Sequence, residues 1–107
     1  MQSKILGSAC LSRAVRRCRF VAPIMNRNAV LFHLREANEE LDRTIDEVFA
    51  TPDYGQGEFV VAMSHLYGHL NTAWNGRDAS EERHRECSQA DFDTWRKFPP
   101  DEELWLV

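Results

Sequence analysis

From Phe59 to Gly76 the chain carries no Asp, Glu, Lys or Arg, yet its apolar residues recur at helical spacing. Phe59, Met63, Leu66, Leu70 and Ala73 fall four, three, four and three apart, which predicts a helix over about 58–75. Val60, Tyr67 and Trp74 widen the apolar arc, while the back of the helix holds Val61, Ser64, Gly68, Asn71 and Thr72. A solvated helix face ordinarily carries charge. The pattern therefore predicts a helix covered on more than one side, by a further helix or by a second subunit. Ser64, His65, His69, Asn71 and Thr72 make the run too polar for a membrane span.

A second periodic segment precedes it. Leu31, Leu34, Asn38, Leu41, Ile45 and Val48 alternate spacings of three and four, a heptad seam with one polar interruption. It predicts a helix over about 29–50 with Asn28 as N-cap. Asn38 is either solvent-facing or a paired polar residue that sets register. Arg35, Glu39, Asp42 and Asp46 take the opposite face, and Glu39–Arg43 is the expected (i, i+4) ion pair. Thr51–Gly57 interrupts the pattern. Pro52 lacks an amide donor, and Gly55 and Gly57 tolerate positive φ. A connection this short predicts antiparallel neighbours, an αα-hairpin.

Beyond Gly76, expected as the C-cap, Asp78-Ala-Ser-Glu81 reads as an Asp-led capping box. It predicts a short helix through Cys87, then another over Asp91–Phe98, ended by Pro99-Pro100. Trp105 in the apolar tail is expected to dock on the hairpin or on a partner. The fold class is all-α, an antiparallel hairpin (about 29–50 and 58–75) with one or two short C-terminal helices, completed as a bundle by dimerisation.

Charge divides the chain differently. Residues 1–24 hold Lys4, Arg13, Arg16, Arg17 and Arg19 with no acid, and the remaining residues hold 8 basic and 17 acidic side chains. Residues 1–24 therefore read as a basic leader or transit peptide, a disordered arm, or a mis-assigned start ahead of Met25. Residues 25–107 read as one small helical domain. Phe20 is the only aromatic among those arginines, so no nucleic-acid stacking platform is expected. Cys10, Cys18 and Cys87 are odd in number and scattered, which gives no disulfide framework and fits a reducing, cytoplasmic compartment. Organelle import is expected instead if the leader is genuine.

His65 and His69, four apart on one helical face, are the first candidates for chemistry. As metal ligands they need further donors, which His84 and Cys87, three apart, or His33 on the first helix can supply. Zinc suits such a His/Cys set. Leu66 follows His65, so the adjacent Glu of the zinc-protease motif is missing. The plainer reading makes these histidines interface residues. Cys87 as a nucleophile needs a neighbouring base, and only His84 shares its face. Tyr67 and Trp74-Asn75-Gly76-Arg77-Asp78 form a candidate interaction surface, or simply a capped helix end.

A long first helix and a second bearing histidines resemble the DinB-like helical bundles, over about half the chain. That family binds a metal through three histidines on separate helices, but its fourth helix and His pair have no counterpart here. The resemblance transfers neither site nor activity. Two functional expectations follow: a non-enzymatic interaction or assembly module, working as a homodimer, or a metal-binding helical protein, hydrolase or transferase, using His65 and His69.

Overall fold

The computed structural model describes residues 24–104. Five helices follow in order: α1 Arg27–Ala50, α2 Gln56–Asn75, α3 Glu81–Glu86, α4 Gln89–Trp95 and α5 Asp101–Leu104. The described residues contain no strand, so the all-α expectation and the hairpin hold. The basic leader and Trp105 lie outside the described residues. No described helix is long and apolar enough to cross a membrane.

α1 begins two residues earlier than its periodicity suggested. The N-cap is Asn26, not Asn28: its Oδ1 accepts from Ala29 N at 3.1 Å, satisfying an amide that the first turn leaves free. Asn28 is released to donate to Glu81 Oε2 on α3. At the other end Thr51–Gly55 connects the helices, with Gly57 already inside α2. Neither glycine uses positive φ. Gly55 N donates to Glu58 Oε1 at 3.0 Å, so the acid at the third helical position closes the start of α2. The Tyr54 hydroxyl in this turn is enclosed without a hydrogen-bond partner among the described residues.

The largest departure concerns which face of α1 meets α2. The register is marked by Asn26 N donating to Arg77 O (2.6 Å), by His33 against His69, and by Glu40 against His65. These pairs prove the helices antiparallel. They also place Ala29, His33, Ala37, Glu40 and Thr44 between them, and Ala29, Ala37 and Thr44 are the buried residues of α1. The heptad seam does not fill the contact. Leu31, Leu34, Leu41, Ile45 and Val48 stay 42–56% exposed, and Asn38 is exposed among them. The reason is steric. Ala29 and Ala37 on α1 and Ala62 and Ala73 on α2 are buried, and small side chains let backbones approach where leucines would hold them apart. The expected Glu39–Arg43 pair gives way to Arg43–Glu40, at 2.9 Å.

α2 packs against both α1 and α4, though Phe59, Val60, Val61, Tyr67 and Leu70 stay exposed along it. The cover is held by amides. Asn71 donates to Arg96 O at 2.9 Å, and Asn75 donates to Trp95 O and Lys97 O at 2.8 and 2.6 Å. Each tie contributes on the order of 1 kcal/mol. Trp95, 5% exposed, is the only large side chain in the core among the described residues.

The short helices start on serines. Ser80 rather than Asp78 caps α3, its Oγ accepting from Arg83 N, and Ser88 caps α4 by accepting from Asp91 N, both at 3.1 Å. Between them Cys87 takes the left-handed conformation, φ 38°, that ends α3. α4 ends at Trp95 instead of Phe98, and a further helix that the sequence reading did not include, α5, follows Pro99-Pro100.

Candidate functional site

His33 on α1, His69 on α2 and His84 on α3 converge. His33 Nδ1 lies 3.2 Å from His69 Nδ1, and the ring centroid of His33 lies 5.4 Å from that of His69 and 6.1 Å from that of His84. Neither ring nitrogen of the close pair can be satisfied unless one carries the proton and the other accepts it. Burial, and then the positive charge that His69 and His84 would carry, push the His33 imidazole down to about 4. His33 is therefore neutral near pH 7.

His84 is held by two neighbours. Its ring stacks on Trp95 with centroids 4.6 Å apart, and its Nε2 donates to Gly76 O at 2.7 Å. That bond places the ring proton on Nε2 and leaves the Nδ1 lone pair free when the imidazole is neutral. Gly76 does cap α2, but in a right-handed conformation with φ −100°. A Cβ there would fall 2.7 Å from His84 Cε1 and 3.1 Å from Thr72 O, so glycine is required by close approach, not by handedness.

The three rings border an open cavity of about 540 Å³, whose wall also includes Phe32, Phe92, Trp95, Thr72 and Glu81. Its floor is α2 and its rim is braced. Glu81 accepts from Asn28 at 3.1 Å and from Asn26 at 3.4 Å, and these bonds hold its carboxyl below the usual range. Arg83 Nη2 donates to Asp91 Oδ1 at 2.6 Å, which ties α3 to α4 and lowers the Asp91 carboxyl.

His65 also borders the cavity, but its imidazole turns to Glu40, with Nδ1 3.7 Å from Oε1. The four-residue spacing puts the two histidines of α2 on one side of the helix without bringing them to one point. Cys87 is an exposed free thiol at the cavity rim. Among the described residues, no three His, Cys, Asp or Glu side chains are gathered tightly enough to hold an ion as they stand.

The proposed interaction residues divide. Tyr67 packs edge-on against Phe98, centroids 5.1 Å apart. Trp74 donates from Nε1 to Glu103 at 2.7 Å under the Arg77 guanidinium, which sits 3.9 Å from the ring and donates to Trp74 O. Asn75 is committed to the carbonyls of α4. Asp78 is half-exposed beside Arg77, 4.0 Å away. Of the five side chains that the sequence offered as one set, the structure brings His33, His69 and His84 together across 36 and 51 positions and leaves His65 turned to Glu40. No family model, no curated protein and no solved structure matches the chain.

Proposed function

We propose that this chain is a non-enzymatic assembly module that works as a homodimer of hairpins. The observation that carries the reading is the unfilled heptad seam of α1. Its apolar residues are half-exposed, and Phe49 at the turn end is 92% exposed. From helical rotation alone, the seam lies about a quarter-turn from the face that meets α2. The seam of α2, with Phe59 and Leu70 also exposed, lies about a quarter-turn from its own contact face. In an antiparallel pair these rotations bring both seams to the same side of the hairpin, opposite the histidine cavity.

A second copy is the occupant that fits this face. Alternating three- and four-residue spacing is what another helix of the same pattern interlocks with. Two hairpins joined face to face make a four-helix bundle, and a two-fold axis near the seam's midpoint sets Asn38 close to its own counterpart, where amides can pair. The stripe carries no charge to oppose like meeting like. The residues that touch only in this assembly are Leu34, Leu41, Ile45 and Val48.

Sedimentation velocity of the full chain at micromolar concentration is expected to give a dimer. The double variant Leu41→Asp/Ile45→Asp is expected to give a helical monomer whose Trp95 emission is unchanged. A wild-type chain that is monomeric at those concentrations, or a dimer that survives both aspartates, sinks the reading.

A further inference from the structure

We infer that the cavity on the histidine side of the hairpin binds one small aromatic carboxylate. The ring lies between Phe32 and Phe92 over the bare floor at Gly68, and the carboxylate meets the arginines and the imidazole N–H of the wall. The site uses the cavity as it stands. It is independent of the dimer, because the apolar seams lie on the opposite side of the hairpin.

The first support is space, with a floor that packing does not explain. At about 540 Å³ the cavity falls within the range of about 300–1,000 Å³ that small-molecule pockets occupy. Gly68 lines it from the interior of α2, where glycine weakens a helix. At Gly76 a Cβ would collide with His84, but at Gly68 it would meet no neighbouring atom within 4 Å. Close approach therefore does not call for glycine at position 68. Its effect is to keep the floor low between Ser64 and Thr72, one helical turn away in each direction.

The second support is aromatic surface. Phe32 and Phe92 line the cavity and stay 57% and 47% exposed. They belong to α1 and α4, so a flat ring entering the cavity meets apolar surface from two helices. Aromatic rings attract one another in offset and edge-on arrangements.

The third support is charge. Residues 25–107 carry 17 acidic and 8 basic side chains, yet the cavity wall reverses that balance, with Arg85 and Arg96 against Glu81 alone. Glu81 is already committed to the amides of Asn26 and Asn28. Among the described residues no carboxylate pairs with either arginine. The Arg96 guanidinium lies 4.9 Å from the Phe92 ring, so a cation and an apolar ring stand side by side. Arginine holds carboxylates through its fork of N–H donors.

The histidine pair adds a donor. With both rings neutral, the proton between the two Nδ1 atoms forces opposite tautomers on His33 and His69. One ring then carries Nε2–H and the other a bare Nε2. Among the described residues no group bonds either Nε2, and neither atom is enclosed. Whichever ring holds the shared proton, the pair offers one N–H to an anion without becoming charged.

The test titrates 2-naphthoate into the full chain by calorimetry, with one probe bound per chain expected. 2-Naphthalenemethanol, the uncharged counterpart, should bind more weakly by roughly tenfold or more, the effect of losing a hydrogen bond to a charged group. Arg96→Gln should weaken 2-naphthoate to a similar extent. Decanoate, with the same charge on a flexible chain, should also bind more weakly. Gly68→Leu fills the floor and favours the helix, so it should abolish binding while the melting temperature holds or rises. Leu41→Asp/Ile45→Asp should bind as the wild type does, which separates the cavity from the apolar seam and keeps this site testable whether or not the chain dimerises. Nuclear Overhauser contacts from naphthoate to Phe32 and Phe92 in the wild type place the probe without any substitution. No saturable binding, equal binding of the alcohol or of decanoate, binding indifferent to Gly68→Leu, or contacts confined to the seam overturns the site.

Discussion

The two sides of the α1–α2 hairpin solve the same problem differently. On one side, α3 and α4 close over α2 with Trp95, two asparagine amides and a stacked histidine. On the other, leucine, isoleucine, valine and phenylalanine are lined up with nothing over them among the described residues. The side richer in polar groups is the one that has helices over it, with an open cavity left beside the histidines. Polar groups finish a surface because each donor must find one acceptor in one geometry, whereas apolar area is satisfied by any complementary cover. The difference teaches that strong hydrophobic periodicity does not name its partner.

That contrast can be broken first at Trp95. Trp95→Ala removes the buried ring on which His84 stacks and is expected to cost about 3–5 kcal/mol. Urea unfolding should show this loss independent of protein concentration. The same truncation at Ile45 should cost little in dilute protein and more as concentration rises, because its burial is intermolecular. Equal, concentration-independent losses at both positions would erase the distinction between the sides.

A smaller effect concerns pH. The His33 imidazole is pushed to about 4 in the folded chain, against an ordinary 6.5 when unfolded. Between these values the unfolded state binds the additional proton, so stability is full above about pH 6.5 and falls as the pH is lowered toward 4. Melting temperature measured in chelator across that window should drop for the wild type and drop less for His33→Gln. Parallel profiles would remove His33 from the closed side's acid sensitivity.

The smallest effect is expected at the turn that joins the two sides. Tyr54→Phe deletes an enclosed hydroxyl that has no partner among the described residues. Removing an unsatisfied polar group is neutral or slightly stabilising, so the melting temperature should stay level or rise. A clear fall would mean that the hydroxyl holds the hairpin turn through a bond to water.

Much of the fold was legible. The uncharged α2, the break expected at Thr51–Gly57 and the cap expected at Asp78 are local signals, and α1 to α4 formed near where they put them, although Ser80 and Ser88 took the caps of the short helices. Boundaries shifted where two side chains competed for one role. Asn26 and Asn28 are both good caps, and the choice fell to Asn26 because Asn28 is needed by Glu81 on another helix. The site was less legible. His65 and His69 share a face, yet His69 meets His33 of α1, itself beside His84 of α3; the sequence offered His33 and His84 as candidates, and no spacing within α2 could choose them over His65.

The sequence by itself determined that this chain is helical, where its breaks fall, and that α2 would pack against more than one helix. These follow from 3.6-residue periodicity, caps and the absence of charge, all of which act within a few residues of one another. Only the tertiary structure decided that alanines, not the heptad leucines, lie between the long helices. That choice sets the rotation of α1, and the rotation turns His33 toward His69 and leaves the seam outward. Rotation of one helix against another is set by which side chains can approach most closely, a property of two surfaces together that neither segment carries alone.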